Sequence, residues 1–273
     1  MTPAAVWTAI AAAALTAFGG LVPRQSAQAA AMALPGSPEA LQSQCPRGTL
    51  PDNAVCIPVP TRDDPGLEPL GAEQNRHRDK LGNWVVYDQI PRRPDRPADY
   101  RKYRYPVPPL KSQSLVVSGY DLHLHDADQR RGSNLKAVGH GGIDLAQRRN
   151  TEVRLVNLEH QVGDADVVFV GELFGNSVVT RHALREGGQL REYVVIYGHL
   201  AGPAPGLKAG DNVREGSLLG FVGDSGSAGD VHLHLEIRRV RPKVDISQLV
   251  GSAIAKSSNS VVCDPRNVLP LAE

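Results

Sequence analysis

From Leu115 onward the chain is cut into short apolar runs, each closed by glycine, proline, aspartate or asparagine. The runs include Leu115-Val116-Val117, Val167-Val168-Phe169-Val170, Tyr193-Val194-Val195-Ile196-Tyr197, Leu218-Leu219-Gly220-Phe221-Val222 and Val231-His232-Leu233-His234-Leu235-Glu236-Ile237. Each is too short and too rich in β-branched residues or leucine for an amphipathic helix, and the turn formers between them suit strands and tight turns. The 27 glycines and 21 prolines exceed average usage and point the same way. The expected fold is mainly β, a single antiparallel β-sheet or a β-sandwich-like domain, with no internal repeat.

Charge narrows the partners. Lys+Arg at 30 and Asp+Glu at 29 leave a formal net charge of +1, and aromatic residues make up 5%. Such a chain lacks both the cationic field and the stacking platforms that sequence-independent nucleic-acid binding needs, so no nucleic-acid partner is expected. Residues 1–29 read as an export signal: no charge precedes Arg24, and Ala27-Gln28-Ala29 fits the small-x-small pattern at a cleavage site. Nothing basic precedes the apolar run, so an uncleaved anchor and a cytoplasmic Ala-rich segment stand as alternatives. The expected location is periplasmic or extracellular. No second segment is long enough to span a bilayer.

Residues 30–111 form a second region. Cys45 and Cys56 flank turn-like sequence and are the preferred disulfide pair, with pairing of either to Cys263 left open. Their spacing matches no zinc motif, and neither follows the Leu-small-small sequence of a lipoprotein anchor. Between Thr61 and Lys111, Pro91, Pro94, Pro97, Pro106, Pro108 and Pro109 alternate with arginines and lysine. That composition predicts an extended spacer or strap on the main domain, with no core strand. A basic strap of this kind also suits contact with an anionic polymer.

The chemistry is carried by nine histidines. In a strand, residues two apart share a face, so His232, His234 and Glu236 point one way while Leu233, Leu235 and Ile237 point into the core. His140 and Asp144 bracket Gly141-Gly142, which favours a turn entering a strand over a helix. Two imidazoles and one carboxylate suit zinc, and three protein ligands leave a fourth tetrahedral position for water. His199, at the end of a strand and before Gly202-Pro203, is displayed rather than packed.

His140-x-x-x-Asp144, Tyr197-x-His199-Leu200 and Gly226-x-x-Gly229-x-x-His232-Leu233-His234-Leu235-Glu236 together resemble the lysostaphin-like, LytM-type M23 zinc endopeptidases that cut peptidoglycan peptides. Phe174 to His182 and the Gly-punctuated stretch from Leu207 to Gly223 support the resemblance, which covers roughly residues 112–245. It implies a mainly β fold of the duplicated-hybrid-motif type. It also implies one Zn2+ per chain held by His140, Asp144 and His234, with His199 and His232 as catalytic histidines that deprotonate or orient the attacking water and stabilise the oxyanion. The implied organisation is a peptidase domain over residues 112–248 and a tail over 249–273 packed on it. The implied partner is peptidoglycan, met as a monomer. Two departures stand out: an added stretch from Asp245 to Ser260, and Asp230-Val231 where proline is more usual before His232.

Other histidines compete for attention. His123-Leu124-His125 is a second His-x-His, read as a groove or surface loop because of its place in the order. His77 and His160 read as ordinary packed or surface residues, and His182 as a supporting group beside the site. Glu236 fits either catalysis or a salt bridge. The rival function is a non-catalytic wall-binding regulator that activates another hydrolase, whose metal ligands are usually lost. A D,D-carboxypeptidase of the His-x6-Asp type fails on spacing. Residues 30–110 are further expected to cover the cleft and restrain activity.

Overall fold

The computed structural model describes residues 49–52, 55–58, 66–78, 81–110, 115–122 and 139–272. The export segment, Cys45 and the His123/His125 pair lie outside these residues. The architecture is mainly β, in line with the punctuated apolar runs. β1 (Thr49–Asp52) and β2 (Val55–Pro58) form a small hairpin. The main sheet contains β3 (Glu73–Arg78), β4 (Trp84–Ile90), β5 (Val116–Ser118) and β6 (Gly142–Ala146). After β7 (Glu152–Arg154), β8 (Ala165–Leu173), β9 (Gly175–Glu186) and β10 (Gln189–Gly198) form a meander within it. β11 (Leu200–Pro203), β12 (Asn212–Val213), β13 (Leu218–Val222), β14 (His232–Val240) and β15 (Ser260–Cys263) complete the chain.

The main sheet runs β12-β8-β9-β10-β14-β15-β4-β3, and β7, β11 and β13 form a second, three-stranded sheet. Pairing is antiparallel except between β15 and β4, which run parallel, so the sheet is mixed rather than wholly antiparallel. β14 is the central element. One of its edges pairs with β10; along the other, its first half pairs with β6 and its second half with β15.

Alternation along β10 and β14 divides the interior in two. Tyr193, Val195 and Tyr197 of β10 join Leu233, Leu235 and Ile237 of β14 in the larger core. Val194 and Ile196 face the other way, where Ile246 and Ile254 cover them together with Val168, Val179 and Val240. Each such aliphatic side chain contributes roughly 1.5–3 kcal/mol when fully buried. The added stretch from Asp245 to Ser260 therefore has a packing role: two 3-10 turns, Ile246–Gln248 and Gly251–Ala253, carry the lid over this second face.

The proline-rich segment differs from the expected spacer. Trp84–Ile90 is free of proline and forms a sheet strand whose Ile90 is buried, and Pro91 marks the end of that strand rather than excluding it. Beyond Pro91 the chain does lie as a strap. Arg96 donates to the carbonyls of Arg266 and Leu269, and the Tyr103 hydroxyl donates to the Pro97 carbonyl. Tyr100 Oη accepts the Tyr120 N–H at 2.9 Å.

Candidate metal centre

Antiparallel register places Asp144 of β6 directly opposite His234 of β14, while His234 is also the partner of Gly198 at the end of β10. Directly opposed residues have Cβ atoms about 4.5–5.5 Å apart, so the sheet itself brings this pair together. His140 arrives from the bend before β6, where its backbone exchanges hydrogen bonds with Asp121. The glycines that follow it provide room. A Cβ on Gly142 would stand 2.5 Å from the Leu235 carbonyl oxygen and 2.9 Å from His234 Cε1.

Three candidate ligand atoms converge. His140 Nε2 lies 3.1 Å from Asp144 Oδ1 and 3.3 Å from His234 Nδ1, and His234 Nδ1 lies 2.9 Å from the same carboxylate oxygen. All three residues are buried. The other ring nitrogen of His140, Nδ1, is 2.7 Å from the Gly119 carbonyl and 3.0 Å from Ser118 Oγ. A carbonyl only accepts, so Nδ1 carries the proton and the Nε2 lone pair faces Asp144 and His234. The strap supports this contact from behind, since Tyr100 occupies the space beside Gly119.

His199 and His232 stand alongside. Their ring centroids are 4.7 Å apart, and His199 is 5.8 Å from His234. His199 has a left-handed backbone, φ +58°, an uncommon conformation for a non-glycine residue that turns its ring back over the end of β10. Its N–H donates to the Phe174 carbonyl and its Nδ1 to the Ser225 carbonyl at 2.7 Å. His232 Nδ1 donates to the Asp230 carbonyl at 2.9 Å, leaving Nε2 3.6 Å from Asp144 Oδ1. Both rings are thus fixed with Nε2 as the free nitrogen.

The electrostatics suit a cation. Burial opposes ionisation of Asp144, but its close polar contacts with the His140 and His234 rings hold its carboxyl well below the usual carboxylate range. Burial likewise opposes the charged form of His234, yet Asp144 on one side and Glu236 on the other raise it to about 9. In the metal-free protein this position therefore holds a positive charge between two carboxylates. A divalent ion bound to two imidazoles and a carboxylate would replace the extra proton, so the residues present fit zinc. Burial pushes His199 down to about 4, which keeps its imidazole neutral at neutral pH.

The structure thus brings His140, Asp144, His234, His199 and His232 together. His182 is elsewhere. It pairs with Tyr193 on β10, on the face opposite the metal centre, where Thr180 Oγ1 and Gln161 Oε1 bond its two ring nitrogens at 2.7 Å each. The support expected from it comes instead from the backbone carbonyls of Gly119, Ser225 and Asp230. No residue type marks those contacts, although Gly175 gives a hint: a Cβ there would stand 2.0 Å from the Ser225 carbonyl oxygen.

Residues 138–246 match the Peptidase family M23 model. Over this segment, about two fifths of its length, the chain is similar to that family. The chain is 35% identical over 101 residues to the DD-carboxypeptidase/endopeptidase Mpg of Neisseria meningitidis, and equally to that of Neisseria gonorrhoeae. The match covers 36% of this chain and 20% of the relative, so the chain spans about a fifth of the length of these relatives. Among solved structures, a zinc containing peptidase from Vibrio cholerae aligns at 22% identity with a TM-score of 0.36, covering 61% of this chain and 43% of that one. The catalytic domain of lysostaphin from Staphylococcus simulans aligns at 18% identity with a TM-score of 0.35, covering 53% and 85%.

Proposed function

We propose that this chain is an exported, monomeric zinc endopeptidase that hydrolyses peptide bonds in bacterial peptidoglycan. The observation that carries the reading is the convergence of His140 Nε2, Asp144 Oδ1 and His234 Nδ1 within 3.3 Å of one another, with two further imidazoles beside them. His140, Asp144 and His234 would hold the ion. When bound, zinc supplies Lewis acidity to a water molecule and to the scissile carbonyl.

The remaining work falls to the chain's own groups. His199 and His232 each have Nδ1–H committed to a carbonyl, so their Nε2 atoms are the ones that exchange a proton with the attacking water or the leaving amine. In its protonated form either ring donates a hydrogen bond to the developing oxyanion. Phe174, whose ring meets His234 edge-on with centroids 5.0 Å apart, supplies an apolar wall that limits water near the ion. The intact set of five favours hydrolysis over a purely wall-binding role.

The Neisseria relatives are DD-carboxypeptidase/endopeptidases, which supports the endopeptidase reading and adds a second one, DD-carboxypeptidase action. The purified chain is expected to bind about one zinc and to solubilise peptidoglycan, with fragment masses from defined muropeptides naming the bond. His140→Ala and His234→Ala are expected to lose both properties. Full turnover by His234→Ala after dialysis against a chelator would refute the assignment.

A further inference from the structure

The buried polar residues of β14 continue past the metal centre. Strand alternation puts His234, Glu236 and Arg238 on one face, and all three are buried. With His234 Nδ1 turned toward Asp144 and His140, its other nitrogen, Nε2, is buried without a hydrogen bond, and the carboxylate nearest to it is Glu236 Oε2 at 3.5 Å. Glu236 in turn accepts from Arg238 Nη1 through Oε1 at 2.5 Å. Gly141 leaves space for that carboxylate, since a Cβ there would stand 2.9 Å from Oε2.

Arg238 is held from the far side. Its Nε donates to Ser260 Oγ at 2.6 Å, and its Nη2 donates to the carbonyls of Ala255 at 2.8 Å and Ser260 at 3.2 Å. Ser260 Oγ itself donates to the Ile254 carbonyl at 2.6 Å. These acceptors belong to the lid from Asp245 to Ser260 and to the start of β15. A guanidinium with its fork directions taken up in this way has little freedom to move, and it fixes the carboxylate it pairs with.

We propose that Glu236 is a positioning residue that keeps the proton of His234 on Nε2, so that Nδ1 stays available to the metal, and that the lid sets the strength of this effect through Arg238. The inference rests on the zinc reading above. A buried carboxylate behind a ligating imidazole fixes its tautomer and raises its basicity, and loss of such a partner typically costs 10–100-fold in metal affinity. The lid therefore has a function besides covering Val194 and Ile196: it tunes a metal ligand that it does not touch.

Zinc affinity of the full chain, measured by competition with a chromophoric chelator, tests this. Glu236→Gln is expected to weaken binding about 10–100-fold. Ser260→Ala, which removes one anchor of Arg238, is expected to weaken it by a smaller factor. In the zinc-loaded wild-type protein, 15N-edited NMR of the histidine rings is expected to show His234 protonated at Nε2, and this measurement decides the matter if Glu236→Gln does not fold. Unchanged affinity in a folded Glu236→Gln protein, or a His234 proton on Nδ1, would overturn the inference while leaving the zinc site standing. A wild-type protein that binds no zinc would overturn the site reading and this inference together.

Discussion

His199 Nδ1 lies 2.7 Å from the carbonyl oxygen of Ser225, and this bond determines which nitrogen of the ring faces the metal centre. The ring is oriented by main chain from a distant turn, and Gly175 lets that turn approach. In the zinc reading proposed above, His199 faces the reacting space without holding the ion.

Replacing it separates the two roles. His199→Ala is expected to lower kcat by roughly 10²–10⁴-fold, the usual contribution of a positioned acid–base group, with zinc content and KM little changed. Steady-state kinetics on a defined muropeptide, together with metal analysis, check this. A parallel loss of zinc would identify His199 as a ligand.

His182 gives a pH dependence of stability remote from the metal. Burial pushes its imidazole from the ordinary 6.5 down to about 3. Below pH 6.5 the unfolded chain takes up a proton that the folded chain refuses until near pH 3, so this residue's contribution makes the fold less stable as pH falls through that window. The limiting slope for one proton is about 1.4 kcal/mol per pH unit. Urea midpoints of wild type and His182→Gln at pH 7 and 4.5 are expected to diverge, the wild type losing more on acidification.

Gly142 is a packing limit at the site. Its Cβ in Gly142→Ala would meet Leu235 backbone at 2.5 Å, and backbone yields less readily than a side-chain tip. The substitution is expected to cost about 1–3 kcal/mol and to weaken zinc binding by displacing His234. Thermal unfolding with and without zinc measures both effects.

Cys263 is a free thiol with no exposed surface, and burial pushes it up to about 12. In native protein it is expected to resist alkylation at pH 8 and to react at once in denaturant. Peptide mapping of the alkylated protein reads out this position separately from Cys45 and Cys56. Rapid native labelling would mean that β15 opens readily.

Much of the site was legible because its groups carry residue-type signals. His232 and His234 alternate with leucines, which reveals a strand with a polar face, and Gly141-Gly142 between His140 and Asp144 signals a close backbone approach. The same alternation extends to Glu236 and Arg238, so the line of polar residues was visible; its anchors were not, because Ala255 and Ser260 act through carbonyls and a hydroxyl that look like any loop. The carbonyls holding the rings of His140, His199 and His232 were hidden for the same reason. The fold was legible as strands and turns, but the parallel pairing of β4 with β15 was not, since two segments so far apart in sequence have no local signal to join them. His182 misled because its position relative to Tyr197-x-His199 fixes its strand but not the face it presents.

That parallel pairing imposes an order of assembly. During translation β3 and β4 leave the ribosome early, yet the strand they dock against is made long after them, and the acceptors that grip Arg238 emerge with it. The β3–β4 edge and the anchor of Arg238 are thus completed together, by the last of the described strands.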